Sequence, residues 1–124
     1  MFMISISQLS EDFDVTTRTI RYYEEIGLLS PERTDGNRRM YSNKDIARLK
    51  LIVRGKKYGF NLDEIKEMIV LFDKDRSGKA QMKKTITYGK KKLEEVNERI
   101  EELQQMKTEM EVLLWEFENR LRNE

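Results

Sequence analysis

Apolar residues recur along this chain in two rhythms, one short and often interrupted, the other long and regular. In "SISQLSEDF", residues 5–13, Ile6, Leu9 and Phe13 return at helical spacing, and Ser5 and Gln8 have the spacing of a capping box. A short amphipathic helix is predicted there. Asp14 and Val15 make a tight connection, and Thr16 suits the N-cap of a second helix. That helix ends at Gly27, a good left-handed C′ residue, and Pro31 bars its continuation. Two short helices so closely joined form a helix-turn-helix. "RTDGNRRMYS" then centres on Asp35-Gly36, a hairpin signal between residues that can pair as short strands. Ser42 and Asp45 are spaced like a capping box before a third helix, whose predicted buried face is Ile46, Leu49, Ile52 and Val53. Gly59 ends it and Asn61 caps a fourth, carried on by Leu62, Ile65, Met68 or Ile69, and Phe72. "DKDRSGKAQ", residues 73–81, loses the rhythm and reads as a linker.

The long rhythm follows. Ile86, Leu93, Val96, Ile100, Leu103, Met110, Leu114, Phe117 and Leu121 fall on one 3-4 alternation, with Gly89 and Lys107 at the two remaining positions. A 3.5-residue period held this long predicts a coiled coil. From Tyr88 to Leu121 the rod would be roughly 50 Å long at about 1.5 Å per residue. It cannot bury its seam alone, and a second copy of the chain is the economical partner. The expected fold is therefore mostly α: a winged helix-turn-helix with a small β-hairpin wing over residues 1–72, a linker over 73–81, and a long C-terminal coiled-coil helix over 82–124.

Composition narrows the chemistry. With no Cys and no His, disulfides, thiolate or imidazole metal sites and Cys- or His-based catalysis are excluded. No metal site and no cofactor are expected. No apolar run approaches a membrane span, and the lack of a signal peptide points to the cytoplasm. The net charge is only +1, so any electrostatic argument rests on where the charges lie. From Thr16 to Tyr58 there are 11 Lys or Arg against 5 Asp or Glu, whereas the first 15 residues hold three acids and no base.

That local excess sits on three elements. On a wheel at about 100° per residue, Ile20 and Tyr23 of the second helix fall toward one face, while Arg18, Arg21, Tyr22 and Glu25 gather opposite. An exposed Arg21–Glu25 pair contributes only a few tenths of a kcal/mol, so it does not account for the cluster. Two arginines beside a tyrosine suit a recognition helix in a DNA major groove, where Arg binds guanine or phosphate and hydroxyls reach phosphate oxygens. Arg38, Arg39 and Tyr41 in the hairpin suit a wing lying along the phosphate backbone. Lys56, Lys57 and Tyr58 form a third group, although cations also complement a helix C-terminus.

With these pieces in place, residues 4–72 resemble the winged-helix DNA-binding domain of the MerR family of bacterial regulators. "TIRYYEEIGLL", "NRRMYS", "DIARLKLI" and "GFNLDEIKEMI" carry the resemblance in the family's order and spacing, and the coiled coil matches its dimerisation helix. The resemblance implies a homodimer with antiparallel long helices, paired through Leu93, Val96, Ile100, Leu103, Met110, Leu114 and Phe117. It implies a near-palindromic promoter operator in double-stranded DNA, met by Thr17, Arg18, Arg21, Tyr22 and Tyr23 of the second helix and by Arg38, Arg39 and Tyr41 of the wing; the cation group adds Lys56 as a further expected DNA contact. It further implies that transcription by RNA polymerase is switched by bending and untwisting a long promoter spacer. The missing cysteines exclude the metal and redox inducers of the better-known branches, and with 124 residues no appended drug-binding domain is expected. "LIVRGKKYGFNLDEIKEMIVLFD" resembles a smaller Cys-free branch that controls branched-chain amino acid and fatty acid breakdown. A small-molecule effector of unknown identity would sit between the C-terminal part of the rod and the partner's winged domain. Trp115 and Phe117 are its apolar candidates, though Phe117 lies on the seam and Trp115 can cover its flank.

Two other classes compete. A chromosome-organising or adaptor protein would use the coiled coil as a scaffold and bind DNA weakly, in keeping with the acidic, Gln-containing helix from Glu94 to Glu111. An enzyme would need a nucleophile–base pair or a phosphate-cradling loop, and the sequence offers neither.

Overall fold

The computed structural model describes residues 2–124. Its elements run β1 (Met3–Ser5), α1 (Ile6–Phe13), α2 (Thr17–Glu25), β2 (Glu32–Arg33), β3 (Arg39–Ser42), α3 (Asn43–Lys57), α4 (Leu62–Lys74) and α5 (Lys79–Arg122). They fall into two units, one ending at Lys84 and the other formed by Thr85–Glu124.

Local chemistry starts each short helix. The Ser5, Thr16 and Ser42 side chains accept hydrogen bonds from the backbone N–H three residues on. Asn61 does the same while Glu64 reaches back to the Asn61 N–H, which completes a capping box. At the end of α2, Gly27 adopts φ 85°, its N–H reaches the Glu24 carbonyl and the Leu28 N–H reaches that of Tyr23. This Schellman closure turns Leu28 and Leu29 back into the core.

Three antiparallel strands lie in the order β1-β3-β2. β1 is an addition to the sequence expectation: Met3 faces Ser42, Ile4 faces Tyr41 and Ser5 faces Met40. Three residues are too few to display a period of two. The hairpin loop also differs from a two-residue Asp-Gly turn. The Asn37 N–H bonds to the Thr34 carbonyl, the Thr34 N–H to that of Arg38, and Asn37 rather than Gly36 takes the left-handed conformation, with φ 60°. This is a type I turn followed by a left-handed residue, the usual three-residue hairpin loop.

The core of the first unit joins Leu9, Ile20, Tyr23, Tyr41, Leu49, Ile52 and Ile65. α3 is rotated from its expected setting: Leu49 and Ile52 are buried, but Ile46 and Val53 are only half-buried, while Asp45, Arg48, Leu51 and Gly55 are buried with them. Two charged residues can take the inner face because they are partners. Arg48 donates to Asp45 Oδ1 at 3.1 Å and to both carboxylate oxygens of Asp73 at 3.2 and 2.8 Å, and Asp45 Oδ1 also accepts the Ser30 N–H. Burial works against the Arg48 charge, yet these carboxylates outweigh it and raise its pKa.

Residues 73–81, expected as a linker, contain the end of α4, a turn over 75–78 and the start of α5. Asp75 organises that turn by accepting from the Ser77 hydroxyl at 2.6 Å and the Ser77 N–H at 3.1 Å, which hold its carboxyl below the ordinary value. Gln81 is buried, and Lys84 pairs with Glu67 of α4 at 2.9 Å. The second unit is the rest of α5. Its large apolar seam residues are all open to solvent, from 45% exposed at Ile100 to 72% at Leu121.

Candidate nucleic-acid interface

The helix-turn-helix is held by its own polar side chains. Asp14 takes the left-handed conformation, the Ser10 hydroxyl donates to the Val15 carbonyl, and Thr16 caps α2 through the Thr19 N–H at 3.1 Å. With Ile20 and Tyr23 buried, the opposite face of α2 must carry Arg18, Arg21, Tyr22 and Glu25, and all four are exposed. Neither Arg18 nor Arg21 has an ion-pair partner among the described residues. Thr17 is half-buried at the start of the helix.

The tyrosines divide as burial requires. Tyr22 is 47% exposed beside the arginines, whereas Tyr23 is 7% exposed and packs inward, with the ring centroids 6.1 Å apart. Tyr23, expected among the DNA-contacting residues, therefore belongs to the core, and burial raises its pKa. Tyr41, also expected to meet DNA, is fully buried. Burial, then the nearby Glu24 carboxylate, pushes its phenol up to about 12. Its hydroxyl has no hydrogen-bond partner among the described residues. Alternation along β3 places Tyr41 and Arg39 on one side of the sheet, and that side faces α2.

Arg38 and Arg39 separate for the same reason. Arg38 is exposed, and its guanidinium has no ion-pair or hydrogen-bond partner among the described residues. Arg39 is tied to Glu24 of α2, Nε to Oε2 at 2.6 Å, and Arg33 of β2 approaches the other oxygen at 3.7 Å. Neither Glu24 nor Arg33 stands out in sequence, because their partners lie on different elements. A shallow hollow lined by Arg21, Glu24, Glu25 and Arg39 joins α2 to the wing, and another, lined by Ser5, Ser7, Asn37 and Arg38 among others, lies between the start of α1 and the wing.

Lys56, Lys57 and Tyr58 are exposed at the end of α3, with Lys57 Nζ 5.6 Å from the Tyr58 ring centroid. No ion pair or side-chain hydrogen bond among the described residues ties Lys56 to α2 or the wing. The structure thus brings Arg21 of α2 beside Arg39 of the wing, and sets Arg38 beside the start of α1. Among the described residues no cluster of three or more acidic side chains forms a metal site, and no helix is long and apolar enough to cross a membrane.

Known proteins resemble this chain in sequence and fold. The profile of the MerR HTH family of regulatory proteins matches residues 4–70, and that of the MerR DNA-binding region matches residues 46–113. The chain is 33% identical over 112 residues to the HTH-type transcriptional regulator HmrR of Rhizobium leguminosarum bv. viciae, covering 90% of this chain and 84% of that one. It is 36% identical over 112 residues to the HTH-type transcriptional regulator ZntR of Escherichia coli K12, covering 90% and 78%. Among solved structures, MtaN, the N-terminus of the Bacillus subtilis multidrug transporter activator, superposes with a TM-score of 0.52 at 36% identity, covering 79% of this chain and 94% of that one. HiNmlR, a MerR family regulator lacking the sensor domain and bound to promoter DNA, shares the fold with a TM-score of 0.61 at 22% identity, covering 84% and 77%.

Proposed function

The chain belongs to the MerR family of DNA-binding transcriptional regulators, and from that premise we propose that it acts as a homodimer on a near-palindromic promoter operator, with no catalytic role. The observation that carries this reading is the outward face of α2. Arg18, Arg21 and Tyr22 stand exposed on a helix whose other face is core, and the arginines have no ion-pair partner among the described residues. In this reading Thr17, Arg18, Arg21 and Tyr22 enter the major groove, Arg38 meets phosphate beside them, and Lys56 touches the backbone from the end of α3.

Residues 1–72 act as the DNA-binding domain and residues 82–124 as the dimerisation helix. The uncovered seam of Leu93, Val96, Ile100, Leu103, Met110, Leu114 and Phe117 is what a second copy buries. A rigid paired rod fixes the separation of the two winged domains, so the promoter spacer must bend and untwist to bring both half-sites into reach. That distortion is the step at which RNA polymerase gains or loses the promoter, in the cytoplasm where the DNA lies. A small-molecule effector would bias it from the C-terminal part of α5, where Trp115 and Phe117 are exposed. Sedimentation of the protein with a duplex carrying its operator tests the assembly. Two chains per duplex are expected, and a stable complex of one chain per duplex would contradict the reading.

A further inference from the structure

Glu24 is a carboxylate at the edge of a surface that, on the function proposed for it, meets a polyanion, where long-range electrostatics disfavours a negative charge. Its contacts account for its presence. Arg33 and Arg39 are direct partners in the β2–β3 ladder, so two like charges stand opposite each other on adjacent strands, an arrangement that alone destabilises a hairpin. Glu24 gives one carboxylate oxygen to each, Oε2 to Arg39 at 2.6 Å and Oε1 to Arg33 at 3.7 Å. The Arg33 guanidinium also lies 3.4 Å from both the carbonyl and the side-chain oxygen of Asn37, the left-handed residue of the loop. One side chain of α2 thereby holds both strands of the wing and, through Arg33, its tip. Glu24 and Arg39 are about a quarter exposed, at 23% and 27% of their side chains, which strengthens their contact relative to one in open water.

We propose that Glu24 is a positioning residue for DNA recognition: it clamps the wing to the recognition helix through Arg39 and Arg33, and leaves Arg38 as the wing's phosphate ligand. The proposal rests on the DNA-binding reading. α2 and the wing must touch one duplex together, so their separation has to match that between groove and backbone, and the clamp sets it. Arg39 serves by holding that spacing, because to bind phosphate it would have to give up a short charge-assisted bond.

The test compares full-length wild type with Glu24→Gln, Arg38→Gln and Arg39→Gln, reading operator affinity against salt and, without DNA, hydrogen exchange at the Thr34 amide. That amide closes the wing loop on the Arg38 carbonyl. Glu24→Gln should weaken operator binding about tenfold although it makes the protein more positive, and should speed Thr34 exchange by a similar factor. Arg38→Gln should lower the salt slope by about 0.9 for each phosphate it leaves unneutralised, whereas Arg39→Gln should weaken binding at unchanged slope. The charge exchange E24R with R39E should restore slow Thr34 exchange. Tighter or unchanged binding by Glu24→Gln, unchanged Thr34 exchange, or an Arg39→Gln slope as low as that of Arg38→Gln would overturn the clamp. A wild-type protein with no discrete operator would overturn the regulator reading instead, and the exchange arm would still decide the clamp.

Discussion

Gly55 shows how one missing side chain sets a packing distance. It lies inside α3, where glycine costs about 0.5–1 kcal/mol relative to alanine, yet a Cβ there would stand 2.8 Å from Ile65 Cγ1 and 3.0 Å from its Cδ1. Ile65 is fully buried, so relieving that contact would disturb the core. Gly55→Ala should therefore lower stability by about 1–3 kcal/mol in urea unfolding, and a variant as stable as wild type would mean that α3 and α4 separate freely. Tyr41 presents the opposite case, a large residue whose polar tip is buried without a hydrogen-bond partner among the described residues. Tyr41→Phe should be neutral or stabilising by up to about 1 kcal/mol at neutral pH, and a clear loss of stability would reveal an acceptor for the hydroxyl. The same residue predicts an alkaline limb. The folded chain keeps the Tyr41 proton up to about 12, and the unfolded chain releases it near 10.0. The stabilisation from holding that proton is thus complete below pH 10.0 and lost as pH rises toward 12. Melting curves across that range should fall less steeply for Tyr41→Phe, with Tyr23 supplying what remains.

Among the elements, α3 is bound to its neighbours through charge as well as apolar packing. Arg48 holds Asp45 on its own helix and Asp73 at the end of α4, and Asp45 in turn holds the Ser30 amide after α2. Asp73→Ala should cost about 3 kcal/mol at fixed protein concentration, the low end for breaking a buried pair, since Asp73 is 29% exposed. A change within experimental error would show that water replaces the carboxylate. This network also marks where sequence reading stops. Ser5, Thr16, Ser42 and Asn61 are legible as caps because each partner lies three residues away. Arg48 and Asp73 are 25 residues apart, and hydropathy assigns both to the surface, so the inner face of α3 is misjudged by its apolar positions alone. The same limit applies at the interface. Helical periodicity separates Tyr22 from Tyr23, but Tyr41 and Arg39 look like outward wing residues until alternation along β3 is combined with the position of α2. The odd-numbered parity they share was the available signal.

At the scale of the whole molecule, two features bear on what the protein does: cations concentrated between Thr16 and Tyr58 within a nearly neutral chain, and an apolar seam that the chain does not cover itself. Either alone is compatible with a scaffold that coats DNA. Together they support the proposed homodimer, in which two DNA-reading units share one operator. Replacing Val96 and Ile100 by Glu places charge in the middle of the seam. It should yield monomers in sedimentation equilibrium and lower operator affinity by at least about a hundredfold, because the second half-site no longer contributes. A double variant that stayed dimeric with full affinity would remove the rod from the interface. The most direct test of operator recognition is recovery of fragmented genomic DNA by the full-length protein at low and moderate salt, followed by sequencing. A near-palindrome that survives moderate salt inside a promoter spacer is the predicted result. Broad recovery that disappears with salt and shares no sequence would contradict it.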